Sequence, residues 1–239
     1  MVLENYKDLK NSEKQEVASY FNGTGFERWN RIYSDTDDVN KVQKNIRIGH
    51  QKTVDDVLVW IKDSNLIEQS SFCDAGCGVG SLSIPLALMG AGSIAASDIS
   101  ESMVNETRLR AEKIGIDMSK MKFNISDLEN LQGSFHTVIC LDVFIHYPQK
   151  AAEDMVRHLC SLAEERLIVS FAPYTPFLAL LKKIGQFFPG PSKTTRAYIL
   201  REKGIVQAAE TSGFSVLRRK LNQAPFYYSQ LIEFRRSND

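Results

Sequence analysis

The residues that most clearly suggest chemistry form a glycine-rich loop at residues 74–80, with the sequence DAGCGVG. A short apolar segment at residues 71–73 precedes the loop and is typical of a buried strand, while residues 81–88 have a helical pattern. Glycines permit a tight turn and let a ligand lie directly against the backbone. The following helix begins with unpaired N–H groups and a partial positive charge. The loop therefore predicts a small-molecule site at the end of a strand.

An acidic residue, Asp98, stands at the end of the next apolar segment, residues 93–97. At this spacing a carboxylate can reach both hydroxyls of a ribose, which predicts a cofactor that carries a nucleoside. The dinucleotide pattern G-x-G-x-x-G is not matched, because the third glycine, Gly80, comes one residue early. Asp74 would also repel a pyrophosphate, whereas it suits a ligand with an ammonium group. The pattern D-x-G-x-G-x-G instead resembles motif I of the class I methyltransferases, which bind S-adenosylmethionine.

Length and composition favour one globular α/β domain. The chain has 239 residues, and its 29 acidic side chains balance 29 basic ones, which argues against a general nucleic-acid binder. No run of about 18 apolar residues occurs, so we expect no membrane-spanning helix. Residues 1–16 are polar, which argues against a secretory signal. The four cysteines form no C-x-x-C pair, and we interpret them as buried thiols rather than metal ligands.

Apolar and amphipathic segments alternate after residue 70. We predict strands at 71–75, 92–98, 120–125, 135–142 and 166–171, with helices at 81–89, 100–114 and 149–164 between them. This alternation is typical of a parallel, doubly wound α/β sheet. A helix at 205–211 precedes two further strands, 214–221 and 226–235, joined through residues 222–225. This C-terminal antiparallel hairpin resembles the end of the class I methyltransferase fold, which is Rossmann-like.

Two regions lie outside this minimal core. Residues 1–63 are predicted to form an N-terminal helical arm, and residues 172–200 a helical insertion within the core domain, residues 64–239. Ligands of such folds bind beyond the carboxyl ends of the strands, so both regions are expected to cover the acceptor. They contain the aromatic residues Tyr20, Phe21, Phe26, Trp29, Tyr33, Phe177, Phe187 and Phe188. These side chains suit a large, flat, apolar acceptor, or else they pack the helices onto the sheet. Residues 177–188, which include two lysines, alternatively suit a membrane surface.

Characteristic segments are spread along nearly the whole chain. They are residues 22–29 (NGTGFERW), 32–33, 39–43, 46–54, 73–83, 96–100, 140–148 (CLDVFIHYP), 171–173 and 190–198. Together they resemble the magnesium-protoporphyrin IX methyltransferase family. The resemblance implies transfer of a methyl group from S-adenosylmethionine to a propionate carboxylate of magnesium-protoporphyrin IX, which gives the monomethyl ester in chlorophyll biosynthesis. Residues 1–16 hold three glutamates and no arginine, so we expect no transit peptide, as in the bacterial form.

The resemblance assigns a set of residues to the cofactor. The glycine loop should line its methionine and ribose parts, Asp98 should accept from the ribose hydroxyls, and Asp127 should accept from the adenine amino group. The backbone at residues 140–141 and the side chain of Asp142 should meet the ammonium group. By motif position the full set is Arg47, His50, Asp74, Ala75, Gly76, Gly78, Gly80, Asp98, Ile99, Met103, Ser126, Asp127, Leu128, Cys140, Leu141 and Asp142.

Some of these assignments have alternatives. Ile99 and Met103 should pack on the adenine, but Met103 suits the protein core equally well. Asp127 is also typical of an Asx turn, in which its side chain binds nearby backbone N–H groups. Either Arg47 or His50 can pair with the carboxylate of the cofactor. Arginine suits that contact better, because its guanidinium can donate two parallel hydrogen bonds to a carboxylate.

Two residues, His146 and Tyr33, are expected near the transferred methyl group. His146 should donate a hydrogen bond to one propionate oxygen and leave the other free to attack. Alternatively it coordinates the magnesium of the substrate, or is a packed loop histidine. Tyr33 should close over the cofactor, a role for which Tyr20 is an equal candidate. For the porphyrin we expect contacts with Tyr20, Trp29, Phe177 and Phe188.

The implied chemistry needs positioning rather than a strong base, because a carboxylate with a pKa of about 4–5 is already ionised at neutral pH. We expect no protein-bound metal, since magnesium arrives in the substrate, and no nucleic-acid partner. The resemblance also implies contact with the large subunit of magnesium chelatase, and a cytoplasmic protein peripheral to photosynthetic membranes. Two other functions stay open: methylation of another lipophilic acceptor such as a quinone or phenol, and non-catalytic carriage of a porphyrin.

Overall fold

The chain folds around one mixed β-sheet. The structure, a computed structural model, describes residues 14–32, 40–176, 178–179 and 197–237. The strands in these ranges are β1 (Ser71–Ala75), β2 (Ser93–Asp98), β3 (Met121–Ile125), β4 (Phe135–Cys140), β5 (Ala163–Phe171), β6 (Phe214–Ala224) and β7 (Tyr227–Arg236). Their order across the sheet is β3-β2-β1-β4-β5-β7-β6. Strands β1 to β5 are parallel, and β7 lies antiparallel between β5 and β6.

Helices cover both faces of the sheet. They are α1 (residues 14–22), α2 (Thr24–Ile32), α3 (Lys41–Lys62), α4 (Ser83–Leu88), α5 (Glu101–Ile114), α6 (Gln149–Leu162) and α7 (Glu202–Glu210). Side chains of α6 and α7 form the core on one face, and those of α3 and α4 form the core on the other. In β4, Val138 and Cys140 belong to the first core while Ile139 belongs to the second, and all three are fully buried. Burial on both faces is what a continuous apolar run in a parallel strand predicts.

The predicted doubly wound sheet and its antiparallel C-terminal hairpin are confirmed, with shifts at the ends of some elements. The helix predicted at residues 81–89 begins at Ser83, because the glycine loop continues as turns up to that residue. Strand β5 begins at Ala163 rather than at residue 166, since α6 passes into it without an intervening loop. The later start of α4 leaves the loop after β1 longer than the sequence indicates.

The hairpin turn also lies further along the chain than predicted. Strand β6 continues to Ala224, so the turn is Pro225 and Phe226 rather than residues 222–225. Phe226 has a φ of +66°. A proline followed by a residue of positive φ is typical of a type II turn. The longer β6 brings Asn222 into the ladder, opposite Ser229 of β7.

Polar contacts hold the N-terminal arm against the loops that follow the strands. The side-chain oxygen of Asn22 accepts from Ser100 Oγ at 2.9 Å and from the Ser102 N–H at 3.2 Å. In α2, Asn30 Oδ1 accepts from Arg110 Nη2 at 2.6 Å. Because Ser100 directly follows the β2 region, α1 and α2 lie at the carboxyl-end side of the sheet.

Several predicted residues lie outside the part of the chain that the structure describes. Tyr33 lies in the gap between α2 and α3, and Phe177 and Phe188 lie in the predicted insertion. Of that insertion the described residues are 172–176, 178–179 and 197–200.

A buried ionic cluster joins the C-terminal hairpin to the rest of the fold. Glu233 of β7 is completely buried. Arg166 Nε donates to Glu233 Oε1 at 2.6 Å, and Arg218 Nε donates to Glu233 Oε2. Both arginines also donate to the carbonyl oxygen of Trp60, each at 3.0 Å. The cluster therefore ties β5, β6 and β7 to the end of α3.

Replacing Glu233 by glutamine is expected to lower the free energy of unfolding by about 3–5 kcal/mol, because Arg166 loses its buried counter-charge. Urea unfolding followed by circular dichroism measures this change. The matched control is Glu202→Gln, whose partner Arg219 lies at 2.7 Å in a largely exposed pair, and which should cost less than about 1 kcal/mol. Equal losses in the two variants would contradict a special role for the buried cluster.

Candidate active site

A cleft opens at the carboxyl ends of β1 to β4 and is bounded by α1 and α2. The empty space between its walls, including the part that is open to solvent, is about 820 Å³. The sequence-predicted residues that line it are Trp29, His50, Gly76, Gly78, Asp98, Ile99, Met103, Ser126, Asp127, Leu128, Leu141, Asp142 and His146. Side chains from four neighbouring strand ends thus meet at one site, as expected for a doubly wound sheet.

The three glycines of the loop serve different purposes. All have positive φ, with values of +90° for Gly76, +53° for Gly78 and +86° for Gly80. A Cβ on Gly76 would lie 2.2 Å from Val143 Cγ2, so this glycine is needed for the packing of the loop. Gly80 packs against Ile84 in the same way and does not line the cleft. A Cβ on Gly78 would meet nothing within 4 Å, so the backbone there is open to a ligand.

Asp98 connects the end of β2 to the glycine loop. Its Oδ2 accepts from the Gly78 N–H at 3.0 Å, and its Oδ1 accepts from the Ser100 N–H at 2.9 Å. Burial raises the pKa of Asp98, and these N–H groups oppose the shift. Asp98 also lines the cleft, so its carboxylate is placed where the hydroxyls of a ribose can donate to it.

Asp74 lies behind the loop rather than in the cleft wall. It is buried, and its Oδ2 accepts from Ser83 Oγ at 2.5 Å. Burial raises the pKa of Asp74 to about 6, while the hydrogen bond from Ser83 opposes the rise. The structure therefore does not bring this carboxylate to the ligand side of the loop, because it holds the first turn of α4 instead.

Four other predicted residues do not line the cleft either. Ala75 and Cys140 are fully buried, since their side chains pack into the core beside α6. Arg47 lies one turn before His50 on α3 and is half-buried outside the cleft wall. Tyr20 packs edge-to-face against Phe21, with 5.0 Å between the ring centroids, so Phe21 takes the position facing the cleft.

Asp127 follows β3 and both lines the cleft and closes a turn. Its Oδ1 accepts from the N–H groups of Glu129 at 3.0 Å and Asn130 at 2.9 Å. Its Oδ2 accepts from Asn130 Nδ2 at 2.9 Å and from Lys14 Nζ of α1 at 3.2 Å. The alternative of an Asx turn is therefore present in the structure. The carboxylate nevertheless stays at the cleft wall, next to Ser126 and Leu128.

His50 and Asp142 form a hydrogen-bonded pair on the β4 side of the cleft. His50 Nδ1 lies 2.8 Å from Asp142 Oδ2, and His50 Nε2 lies 3.0 Å from Ser81 Oγ. Asp142 adopts a φ of +57°, a conformation that aspartate tolerates better than most residues. Burial opposes the charged form of Asp142, but hydrogen bonds from His50, Tyr227 and others lower its pKa to about 2. The pair therefore contains an ionised carboxylate at neutral pH.

His146 ends a short 3₁₀ helix, Phe144–His146, that follows β4. Its ring meets Phe21 edge-to-face with 5.1 Å between centroids, and its Nδ1 is buried without a hydrogen-bond partner in the described ranges. Burial lowers the pKa of His146 to about 4, although the charge of Asp142 opposes the shift. The ring is therefore neutral at neutral pH, with one N–H donor and one acceptor nitrogen.

The cleft also contains residues that the sequence interpretation did not assign to the site. They are Val17, Cys77, Val79, Ser81, Val143 and Tyr147. Phe21, which the sequence offered as one of several acceptor aromatics, lines the cleft as well. Cys77 and Val79 lie between the motif glycines, and Tyr147 is the neighbour of His146, so adjacency in sequence was an available signal. Val17 gave no such signal, because its place in the cleft depends on how α1 docks.

The same described ranges bear on metal-binding groups, cysteines and long apolar helices. Within them, no group of three or more His, Cys, Asp or Glu side chains is placed to bind a metal ion. The four cysteines are free and buried. In the same part of the chain, no helix has both the length and the apolar character that crossing a bilayer requires.

The chain is similar to known proteins along most of its length. Residues 72–165 match a model described as a methyltransferase domain, and residues 140–236 match one described as magnesium-protoporphyrin IX methyltransferase C-terminus. Magnesium-protoporphyrin O-methyltransferase of Synechocystis sp. PCC 6803 is 52% identical over 225 residues, which cover 94% of this chain and 97% of that protein. The chloroplastic magnesium protoporphyrin IX methyltransferase of Arabidopsis thaliana is 48% identical over 227 residues, covering 95% of this chain and 72% of that protein. A crystal structure of the Synechocystis methyltransferase with bound SAH has a TM-score of 0.85 at 51% identity, covering 94% of this chain and 100% of that one.

Fold, cleft and similarities together define an S-adenosylmethionine-dependent methyltransferase of class I. Within this class, the chain belongs to the magnesium-protoporphyrin IX methyltransferase family. The family resemblance and the fold class predicted from the sequence are thereby confirmed.

Proposed function

We propose that this protein transfers the methyl group of S-adenosylmethionine to a propionate carboxylate of magnesium-protoporphyrin IX, giving the monomethyl ester in chlorophyll biosynthesis. The observation that carries this proposal is the 52% identity to the Synechocystis methyltransferase across 94% of the chain. The cleft supports this proposal, because it is lined by the open backbone of Gly78, by the carboxylate of Asp98 and by aromatic side chains.

The residues of the cleft fit S-adenosylmethionine. Gly78 has open space where a side chain would stand, and the carboxylate of Asp98 lines the cleft beside it. On the β3 side, Ile99, Met103 and Asp127 line the cleft. We therefore propose that the adenosine part lies over the ends of β2 and β3, with the methionine part over the glycine loop.

When bound, the cofactor supplies a methyl group on a sulfonium, which is already an activated electrophile. We propose that neutral His146 donates its N–H to one propionate oxygen and leaves the other oxygen facing the methyl group. Because the propionate is already ionised, His146 needs no role as a base. Orientation of two reactants by a site of this kind can supply as much as about 7–11 kcal/mol. Tyr33 is proposed to close over the cofactor from the arm.

The aromatic side of the cleft suits the porphyrin. Phe21 and Trp29 line the wall contributed by α1 and α2, and Val143 lines it beside His146. We propose that these side chains exclude water from the carboxylate, together with Phe177 and Phe188 of the insertion. Burial of flat apolar area yields about 25 cal/mol per Å², so a pigment of this size gains several kcal/mol from such contacts.

We also propose two interactions beyond the substrate, namely peripheral contact with photosynthetic membranes and contact with the large subunit of magnesium chelatase. The first is supported by residues 177–188, in which phenylalanines flank Lys182 and Lys183. The second is supported by family resemblance. Flotation with anionic vesicles and co-purification with the chelatase subunit test them separately, and a protein that does neither removes both proposals.

Incubation of the protein with S-adenosylmethionine and magnesium-protoporphyrin IX should produce the monomethyl ester, detected by liquid chromatography and mass spectrometry. A phenolic quinone precursor in a parallel reaction is expected to remain unmethylated. Methylation of the phenol instead of the porphyrin would support the alternative of another lipophilic acceptor. Tight porphyrin binding without any ester would show a non-catalytic carrier.

A further inference from the structure

A chain of buried hydrogen bonds connects the C-terminal hairpin to the cleft. Asn222 Nδ2 donates to Thr53 Oγ1 at 3.2 Å, Thr53 Oγ1 lies 2.9 Å from Tyr227 Oη, and Tyr227 Oη donates to Asp142 Oδ2 at 2.7 Å. Tyrosine has one hydroxyl proton and an ionised carboxylate only accepts. Thr53 therefore donates to Tyr227 at 2.9 Å, with a longer second contact to the carbonyl oxygen of Gly49 at 3.4 Å. The chain runs from β6 through α3 and β7 to Asp142.

Four protein donors occupy the acceptor positions of the Asp142 carboxylate. His50 and Tyr227 bind its Oδ2 at 2.8 Å and 2.7 Å, while Ser170 and Ser229 donate to its Oδ1 at 2.7 Å and 2.9 Å. Since a carboxylate has about four acceptor positions, none is left for the ammonium group of a ligand. Asp142 can therefore influence the cofactor through the residues that it holds rather than by direct contact.

His50 is the member of this network that reaches the ligand space. Its Nδ1 is fixed by Asp142, and its Nε2 meets Ser81 Oγ of the glycine loop at 3.0 Å. Both His50 and Ser81 line the cleft. The strand order β3-β2-β1-β4 places them on the β4 side of the loop, opposite the side of Asp98. If the adenosine lies over β2 and β3, the amino-acid end of the cofactor faces His50.

Close packing fixes the position of Tyr227. A Cβ on Gly49 would lie 2.3 Å from Cδ1 of the Tyr227 ring, so the ring lies directly on the backbone of α3 at the residue before His50. Insertion of β7 between β5 and β6 brings Tyr227 and Ser229 to this place. The hairpin thus holds both the helix that carries His50 and the carboxylate that orients it.

We propose that Tyr227 and Asp142 are positioning residues of the methyl-donor site, which hold His50 and Ser81 against the amino-acid end of S-adenosylmethionine. This inference rests on the proposed function, because it requires that cofactor. It adds the C-terminal hairpin to the elements that build the cofactor site.

Calorimetric titration of Tyr227→Phe with two ligands tests the inference. S-adenosylhomocysteine carries the amino-acid end, whereas 5′-methylthioadenosine lacks it and keeps the adenosine and sulfur. Loss of one hydrogen bond to the charged Asp142 is expected to weaken binding of S-adenosylhomocysteine by about tenfold. Binding of 5′-methylthioadenosine should be unchanged, which a general loss of structure cannot produce.

Two further variants sharpen the test. Tyr228→Phe removes the hydroxyl of the neighbouring residue, which points to the other side of β7, and should leave both affinities unchanged. Asp142→Asn keeps a residue that tolerates a φ of +57° and should weaken S-adenosylhomocysteine more than Tyr227→Phe does, again without affecting 5′-methylthioadenosine. Equal losses for both ligands, or no loss for either, would overturn the positioning role. A wild-type protein that binds neither ligand would instead remove the proposed function, and this inference with it.

Discussion

Replacing His146 by alanine is expected to lower kcat by about 100- to 1,000-fold, a loss typical of removing one oriented hydrogen-bond donor from an active site. The affinity for S-adenosylhomocysteine should stay near that of the wild type, because the contacts proposed for its adenosine and amino-acid parts lie on other residues. His146 lines the cleft at the end of β4, and its ring is held by Phe21. Steady-state methylation assays together with calorimetry measure the two quantities on one variant.

The control for this substitution is His158→Ala. His158 lies on α6, where its Nε2 is 3.0 Å from the carbonyl oxygen of Leu131, so its loss should leave kcat nearly unchanged. His146→Asn keeps an N–H donor and should recover part of the lost rate. An alanine variant with full turnover would remove the assigned role.

The pH profile gives a second check on His146. Burial lowers the pKa of His146 to about 4, so its neutral donor form persists from alkaline pH down to about pH 5. The rate should therefore be flat through neutral pH and fall only near pH 4–5, where the imidazole and the propionate both gain protons. A fall centred near about 6.5, the ordinary pKa of histidine, would indicate that an unshifted histidine acts as a base.

Replacing Asp98 by alanine is expected to weaken binding of S-adenosylhomocysteine by about 100-fold or more. Two hydroxyls of the ribose lose a charged acceptor, and a hydrogen bond to a charged group is worth about 1.5–3 kcal/mol. The substitution also releases the N–H groups of Gly78 and Ser100, which Asp98 now holds at 3.0 Å and 2.9 Å. Calorimetry gives the affinity directly.

A matched control is available in Asp117, an exposed carboxylate that accepts from the Ser119 N–H at 3.0 Å and from Ser119 Oγ at 2.7 Å. Asp117→Ala removes a comparable local cap outside the cleft and should leave the affinity unchanged. Asp98→Asn, which keeps one acceptor oxygen, should fall between the wild type and Asp98→Ala. Wild-type affinity in Asp98→Ala would show that the ribose is bound elsewhere.

The sheet and the glycine loop could be predicted because their determinants are local. The apolar run of β4 is visible in the sequence and requires burial on both faces. A Cβ at position 76 or 80 would overlap a neighbouring side chain, so the packing requires the glycines that the sequence shows there. The acid at the end of β2 has the spacing of a ribose acceptor, and it lies in the cleft.

Side-chain direction and long-range contacts could not be predicted in the same way. The sequence shows an acid before the first glycine, but not that Asp74 turns away from the loop to Ser83. Tyr227 and Asp142 are 85 residues apart, and their hydrogen bond depends on the insertion of β7 beside β5. The sequence around Asp127 suits a ligand contact and an Asx turn equally well. Which groups contact its carboxylate depends on how α1 docks, because Lys14 of α1 donates to it.

The central claim is that one cleft binds both the methyl donor and a flat magnesium porphyrin. It is tested most directly by an absorbance titration of magnesium-protoporphyrin IX with protein that is saturated with S-adenosylhomocysteine. We predict a spectral shift that saturates at about one porphyrin per chain, as expected if the porphyrin binds in this cleft. An unchanged porphyrin spectrum in the presence of protein that demonstrably holds S-adenosylhomocysteine would contradict the account.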